Sequence, residues 1–261
     1  MPRRTPLLAA LILTGAALGT SGCLGLPDTD SEPYRRPTSA PSVSRSPAPP
    51  PAKDDVVAAL TKLMSAQYTF HVQSNLADET NGRIEATGGY DHAGKVFEED
   101  VTLTGTAHDT HLHRVVFGTD SYSRDKDSEK WVHLDLARLK SQSLVGLNMD
   151  NPTGLATFIT SVASATATGP HAYKGLFDPM EGTDEFLPVG HPSIVAFYSK
   201  NAPFTLETDD QGNVTSIHVE MELTGKPAFV CTTTFAGHGQ PLATKRPAKN
   251  KTAEADSFYY N

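Results

Sequence analysis

The densest run of groups able to hold a metal is His108-Asp109-Thr110-His111-Leu112-His113. On an extended chain His111 and His113 project to the same side, and His108 or Asp109 can come round from the preceding loop. Imidazoles spaced in this way serve zinc or copper, but a complete site needs another protein ligand and hydrogen-bonding support behind it. His71, His92 and His133 are present, with nothing in the sequence to fix their distance. Solvated strand faces account for the pattern more simply. His111 and His113 stand as the weak metal candidate, and no cofactor is expected.

A second run, Gly89-Tyr90-Asp91-His92-Ala93-Gly94-Lys95-Val96, nearly matches the phosphate-binding loop G-x-x-x-x-G-K-[ST]. Its last position is Val96, which has no hydroxyl for magnesium, and the following residues alternate as a strand instead of opening a helix. It reads as a hairpin turn. None of the hydrolase signatures G-x-S-x-G, H-E-x-x-H or S-x-x-K stands in a supporting context. Thirty acidic residues place carboxylates near one another in any fold, so their number argues for no glycosidase. Trp131 beside Leu134 and Leu136 is a core anchor or a sugar platform, and the core is the simpler reading. The triplets Asn213-Val214-Thr215 and Asn250-Lys251-Thr252 match a glycosylation acceptor, a short motif that carries little weight on its own. No enzymatic activity is expected.

The remaining reactive groups are two cysteines, Cys23 and Cys231. Residues 1–22 begin with Arg3 and Arg4, continue through an apolar run from Leu7 to Leu18, and end in small residues, the layout of an export signal. The run is too short to span a bilayer, which takes about twenty residues. Thr20-Ser21-Gly22-Cys23 resembles a bacterial lipobox, with Thr20 where leucine is usual. That resemblance implies a diacylglyceryl group on the Cys23 thiol, cleavage just before it, and a further acyl chain such as palmitate on the new amino terminus. Two or more chains anchor stably where one does not. The expected location is the outer face of the bacterial cell membrane. Cys231 is then left without a partner, in a strand-like run, as a small apolar core residue.

Removal of residues 1–22 takes two arginines with it and leaves 20 basic and 30 acidic residues, net −10. So acidic a chain is a poor partner for nucleic acid or an anionic lipid surface. From residue 23 to 53 the chain is a tether: eight of the nineteen prolines lie between Pro27 and Pro51. Such a segment buries too little to become ordered, and proline keeps it extended at about 3.1 Å per residue. Residues 54–237 have the length of one domain. Residues 238–261, with Lys245-Arg246-Pro247 and Lys249-Asn250-Lys251, read as a loose polar tail, expected to be disordered.

These groups must be positioned by elements whose dominant period is two. Tyr68 to Val72, Gly82 to Ala86, Lys95 to Leu103, His111 to Phe117, Asp120 to Arg124 and Glu129 to Leu134 alternate as half-buried strands. Later, Phe204 to Glu207 and Val214 to Leu223 flank the hairpin signal Asp209-Asp210-Gln211-Gly212-Asn213, and Pro227 to Phe235 adds a last strand. Helical spacing occurs over Asp54–Gln67, Pro152–Ala165 and, more briefly, Ser193–Lys200. The fold expected is α+β: a curved, half-open antiparallel β-barrel of about nine strands, its concave face covered by helices.

The order of these features resembles the LolA/LppX/LprG-like lipoprotein family. It comprises the Cys23 lipobox, the Pro-rich spacer, the opening helix into Tyr68-Thr69-Phe70-His71-Val72, Ala86-Thr87-Gly88-Gly89-Tyr90-Asp91, Gly118-Thr119-Asp120-Ser121-Tyr122, Trp131-Val132-His133-Leu134-Asp135-Leu136 and the Asp210-Gln211-Gly212-Asn213 hairpin. The resemblance implies a hollow that takes the acyl chains of a lipid or lipoglycan for transport or display. Residues expected to line it are Phe70, Val72, Val101, Leu103, Leu155, Phe158, Ile159, Ile217 and Val219. The alternative is that these nine simply fill a core, in a monomeric module that meets a protein partner in the cell envelope.

Overall fold

Where the proline run ends the chain turns into helix α1 (Lys53–Ser65). Asp54 and Asp55 occupy its first turn and Lys62 its last, matching the helix dipole at both ends. Val56, Leu60 and Leu63 make one buried stripe. Ala66 returns the backbone to an extended conformation, and strand β1 (Gln67–Asn75) follows at once. Tyr68, Phe70, Val72 and Ser74 are its buried set, alternating with exposed or half-buried residues.

The computed structural model describes residues 48–75, 82–139, 147–181, 201–222 and 228–260, within the unit Pro47–Asn261. After β1 comes a meander of β2 (Arg83–Asp91), β3 (Val96–Thr104), β4 (Thr110–Phe117), β5 (Asp120–Asp125) and β6 (Trp131–Asp135). A short helix α2 (Leu155–Ser161) leads directly into β7 (Val162–Gly169) and β8 (Ala172–Phe177). Then follow β9 (Ala202–Thr208), β10 (Val214–Met221), β11 (Phe229–Ala236) and a three-residue β12 (Thr252–Glu254). All twelve strands belong to one sheet, in the order β12-β6-β5-β4-β3-β2-β1-β11-β10-β9-β8-β7. Every pairing is antiparallel except β12 on β6.

The expected half-open antiparallel barrel of about nine strands under covering helices is therefore corrected. The described residues form an open, twelve-stranded mixed sheet, whose ends β12 and β7 are not paired with each other, and only two α-helices. Two differences have a local cause. Helical spacing over Pro152–Ala165 ends at Ser161, and the Val-Ala-Ser-Ala-Thr-Ala-Thr run beyond it is strand β7. The stretch after Gly237, expected to be loose, supplies β12. The proposed helix Ser193–Lys200, residues 1–22, Cys23 and the tether up to Pro47 lie outside the described residues.

Both helices pack on one face of the sheet: α1 touches α2, β7 and β10. Tyr68, Phe97, Phe158, Phe177, Leu206 and Phe229 are among the fully buried side chains of the core. The β7 edge is blunted by the end of the proline segment. Ala52 N–H donates to the Ala165 carbonyl at 2.9 Å, Ala167 N–H donates to the Pro50 carbonyl at 3.3 Å, and Pro51 bridges Thr166. Proline there offers no donor for a further strand.

Candidate functional site

The nine residues expected to line a hollow all lie on strands and a helix that meet the core. Phe70, Val72, Leu155, Phe158, Ile217 and Val219 are buried in one cluster, with Val101 and Ile159 packed against it. Leu103 sits opposite Ile84 near the end of β3, half-buried and outside that cluster. Phe158 is met edge-on by Phe177 at 5.2 Å and by Phe204 at 5.3 Å between ring centres. Aromatic rings at that spacing occupy the centre of the cluster.

A hollow of about 610 Å³ opens instead across β7–β10. Pairing fixes its floor. Thr166, Lys174, Thr205, His218 and Thr232 form one cross-strand row, and Ser164, Leu176 and Pro203 form the next. These residues alternate along their strands with buried Ala165, Phe177, Phe204 and Val219, so they point away from the helices, onto the far face of the sheet. Leu176 and Pro203 supply an apolar floor, with Leu176 38% exposed. Lys174 stands on one side, and His218, Glu220 and Glu222 on the other. Thr232 Oγ1 lies 2.8 Å from His218 Nδ1, and Glu220 is 3.8 Å from Nε2. A volume of this size suits a small ligand with an apolar body and a polar end.

His111 and His113 do share a side of β4, also on the far face, but β3 meets each with a carboxylate. His111 Nε2 is 2.8 Å from Asp100 Oδ1, and His113 Nε2 is 3.2 Å from Glu98 Oε1. His71 is similarly placed against Glu85 at 3.1 Å. Asp109 is turned back to accept from Gly105 N–H, and His92 stands by the Tyr90 hydroxyl. Among the described residues, no group of three or more His, Cys, Asp or Glu side chains is arranged to hold a metal ion. The Gly89–Val96 run is the hairpin joining β2 to β3, with Gly94 N–H donating to Asp91 and Lys95 Nζ on Asp150.

Trp131 is not part of the core. It is half-buried on the far face, with the Arg124 guanidinium 4.6 Å over its ring and the His113 ring 4.9 Å away. On the helix side, Glu99 and Arg114 face each other across β3 and β4 at 3.3 Å. Burial holds the Glu99 carboxyl above its usual range, partly offset by Arg114.

The segment expected to be a loose tail is laid over the far face of β2–β6. Gly239 N–H donates to the Gln67 carbonyl, and Leu242 lies on Gly89. Thr244 Oγ1 donates to Glu98 at 2.5 Å, and Arg246 donates to Asp120 at 2.7 Å and to the Tyr122 hydroxyl at 3.1 Å. The Arg246 guanidinium also stands 4.7 Å over the Phe117 ring. No periodic signal marks this segment, because its contacts are made by single side chains to distant strands.

Cys231 is unpaired and buried, and burial pushes its thiol up to about 12. Burial thus disfavours the thiolate, which is the reactive form of a cysteine. No helix among the described residues is long and apolar enough to cross a membrane.

No protein-family model and no curated protein matches the chain. Among solved structures, an uncharacterized conserved protein from Thermus thermophilus is similar at a TM-score of 0.40 and 8% identity, over 78% of this chain and 99% of that one. A likeness of that size assigns neither family nor function.

Proposed function

We propose that the chain is a lipid-anchored, extracytoplasmic binding protein that holds an amphiphilic, lipid-like ligand, without chemistry, in the groove across β7–β10. The observation that carries this reading is the hollow of about 610 Å³ with Leu176 and Pro203 in its floor. Each CH₂ moved there from water contributes about 0.8 kcal/mol, so a short acyl segment suffices for measurable binding. Lys174 at one side suits an acidic head group, while Glu220, Glu222 and His218 suit a hydroxylated or basic one. The export-signal layout of residues 1–22 and the lipobox-like run ending at Cys23 support the anchor, and the family resemblance of the sequence supports the lipid class. The site, however, is assigned to the far face and not to the nine core residues.

The test is uptake of a fluorescent fatty acid by the purified protein, compared with Leu176→Asp. Binding by the parent and at least tenfold weaker binding by L176D, at unchanged thermal midpoint, supports the groove. No uptake by the parent, or equal uptake by L176D, removes it. For the anchor, Cys23→Ala is expected to release the protein to the medium or leave an uncut precursor. A correctly cut C23A chain that stays with the membrane would contradict it.

A further inference from the structure

On the far face of β6, the His133 ring has both nitrogens against carboxylates. Nδ1 is 2.9 Å from Glu254 Oε2, and Nε2 is 3.0 Å from Asp120 Oδ1. An ionised carboxylate has only acceptors, so both contacts are hydrogen bonds only when both ring nitrogens carry protons. Neutral imidazole keeps one of them and turns a lone pair on the other. One of the two carboxylates, Glu254, belongs to the segment that crosses the far face. The other, Asp120, also holds that segment through Arg246.

The segment is held by single side chains and one short strand, with no continuous ladder along its length. Its β12 is three residues long, and residues 240–248 form no strand or helix. It leaves the sheet through Gly237 and Gly239, both at positive φ, which glycine adopts without strain. Beyond β12 its fastenings are Ala255 N–H to the His133 carbonyl at 2.8 Å, Asp135 N–H to the Tyr260 hydroxyl at 3.1 Å, and Arg138 over the Tyr260 ring at 4.1 Å. Beneath it lies an apolar strip. Val115 points to the far face, paired with Glu98 and Tyr122, the anchors of Thr244 and Arg246, yet it is only 3% exposed.

We propose that residues 239–260 are a pH-latched strap, closed while the His133 imidazolium bridges Asp120 and Glu254, and released from the far face as His133 loses its proton, uncovering Gly89, Val115 and Phe117. The groups facing His133 are Asp120 and Tyr122 from β5 and Glu254 from β12, with Arg246 behind Asp120. Burial alone lowers the imidazole, but Glu254 and Asp120 outweigh it, and the net direction is up. A raised folded-state value means that the latch is fully present below the ordinary imidazole range, near 6.5, and is lost as pH rises through the folded value. Arg246 holds Asp120 below its usual range and is itself raised by Asp120, so this pair stays charged throughout and His133 is the member that titrates.

Amide hydrogen exchange on the full chain tests this, with rates corrected for intrinsic pH dependence. Between pH 5.5 and 8.5, protection of the peptide around residues 252–256 is expected to fall at least tenfold, while peptides from β1 and β2 keep theirs. In His133→Gln, which retains a donor but cannot titrate, protection of 252–256 is expected to be low and flat with pH. Arg246→Met is expected to lower that protection at every pH without removing its slope. Wild-type protection of 252–256 that does not change with pH overturns the latch, and so does an H133Q chain that keeps the wild-type slope. Should H133Q fail to fold, the wild-type profile alone decides between these outcomes.

Discussion

The Phe70 ring lies over Gly88, its direct partner across β1 and β2, so closely that a Cβ at 88 would stand 2.5 Å from Phe70 Cζ and would also strike the Glu98 carbonyl. The same relation recurs at the other end of the sheet. Phe204 is paired with Gly175, and a Cβ there would come within 2.6 Å of the ring and against the Ser164 carbonyl. In both places an aromatic ring fills the space over a glycine in mid-strand. One of the atoms struck is backbone, which cannot rotate away.

Gly88→Ala and Gly175→Ala are therefore each expected to destabilise by about 1–3 kcal/mol, the range for overpacking a well-filled site. For a chain of this size that is roughly 2–4 °C in thermal midpoint per kcal/mol. Gly118, by contrast, has nothing within 4 Å of its Cβ position, and its positive φ is the only objection to a side chain. Gly118→Asn, a residue tolerant of that conformation, is expected to cost less than either alanine. Calorimetry of the three variants checks the ranking.

Phe158 sits where the helices meet the sheet, fully buried between Phe177 and Phe204. Truncation to alanine removes both ring contacts and leaves a void that neighbours on β8 and β9 cannot close without moving. The expected loss is about 3–5 kcal/mol by denaturant titration. Ile159, one position on and only partly buried, is expected to lose less on the same substitution.

Legibility followed side-chain size. Strands whose buried sets are large, such as Tyr68, Phe70 and Val72, or Phe204 and Leu206, show their alternation in sequence. Strand β7 turns small residues inward, Ala165 and Ala167, while β8 sets Gly175 between inward Tyr173 and Phe177 and turns Leu176 outward, so neither shows a clean alternation of large apolar residues. The groove was illegible because Leu176 and Pro203 become neighbours only through the β8–β9 register. That His111 and His113 share a side was readable from period two. That Asp100 and Glu98 stand beside them depends on the β3–β4 pairing, which no local pattern encodes. The lipid-anchor motif at Cys23 and the tether lie outside the described residues, and no structural comparison bears on them.

Glu99 gives a stability prediction with a definite sign. Burial raises its folded-state value, so the folded chain binds its proton more tightly than the unfolded chain does. Stability tied to this group is present at low pH and lost as pH rises past the ordinary glutamate range. Glu99→Gln cannot lose it. The stability of E99Q relative to wild type is thus expected to increase from pH 4 to pH 7 in urea titrations. A difference that stays flat or runs the other way would show that pairing with Arg114 outweighs the burial cost.

Cys231 offers a count that bears on both cysteines at once. Its thiol is buried, and burial pushes it up to about 12. In the folded protein at pH 8 it is expected to react with a thiol reagent at least a hundredfold more slowly than in denaturant, because the thiolate is the reacting species and the site is closed to the reagent. After unfolding, every chain must yield the Cys231 thiol. If Cys23 carries a thioether to lipid, membrane-purified protein yields one thiol per chain, the same as Cys23→Ala. A chain kept from export yields two. Two thiols from the membrane-purified form would leave Cys23 unmodified and remove the anchor, while rapid labelling of the folded form would mean that the β10–β11 layer opens readily around Cys231.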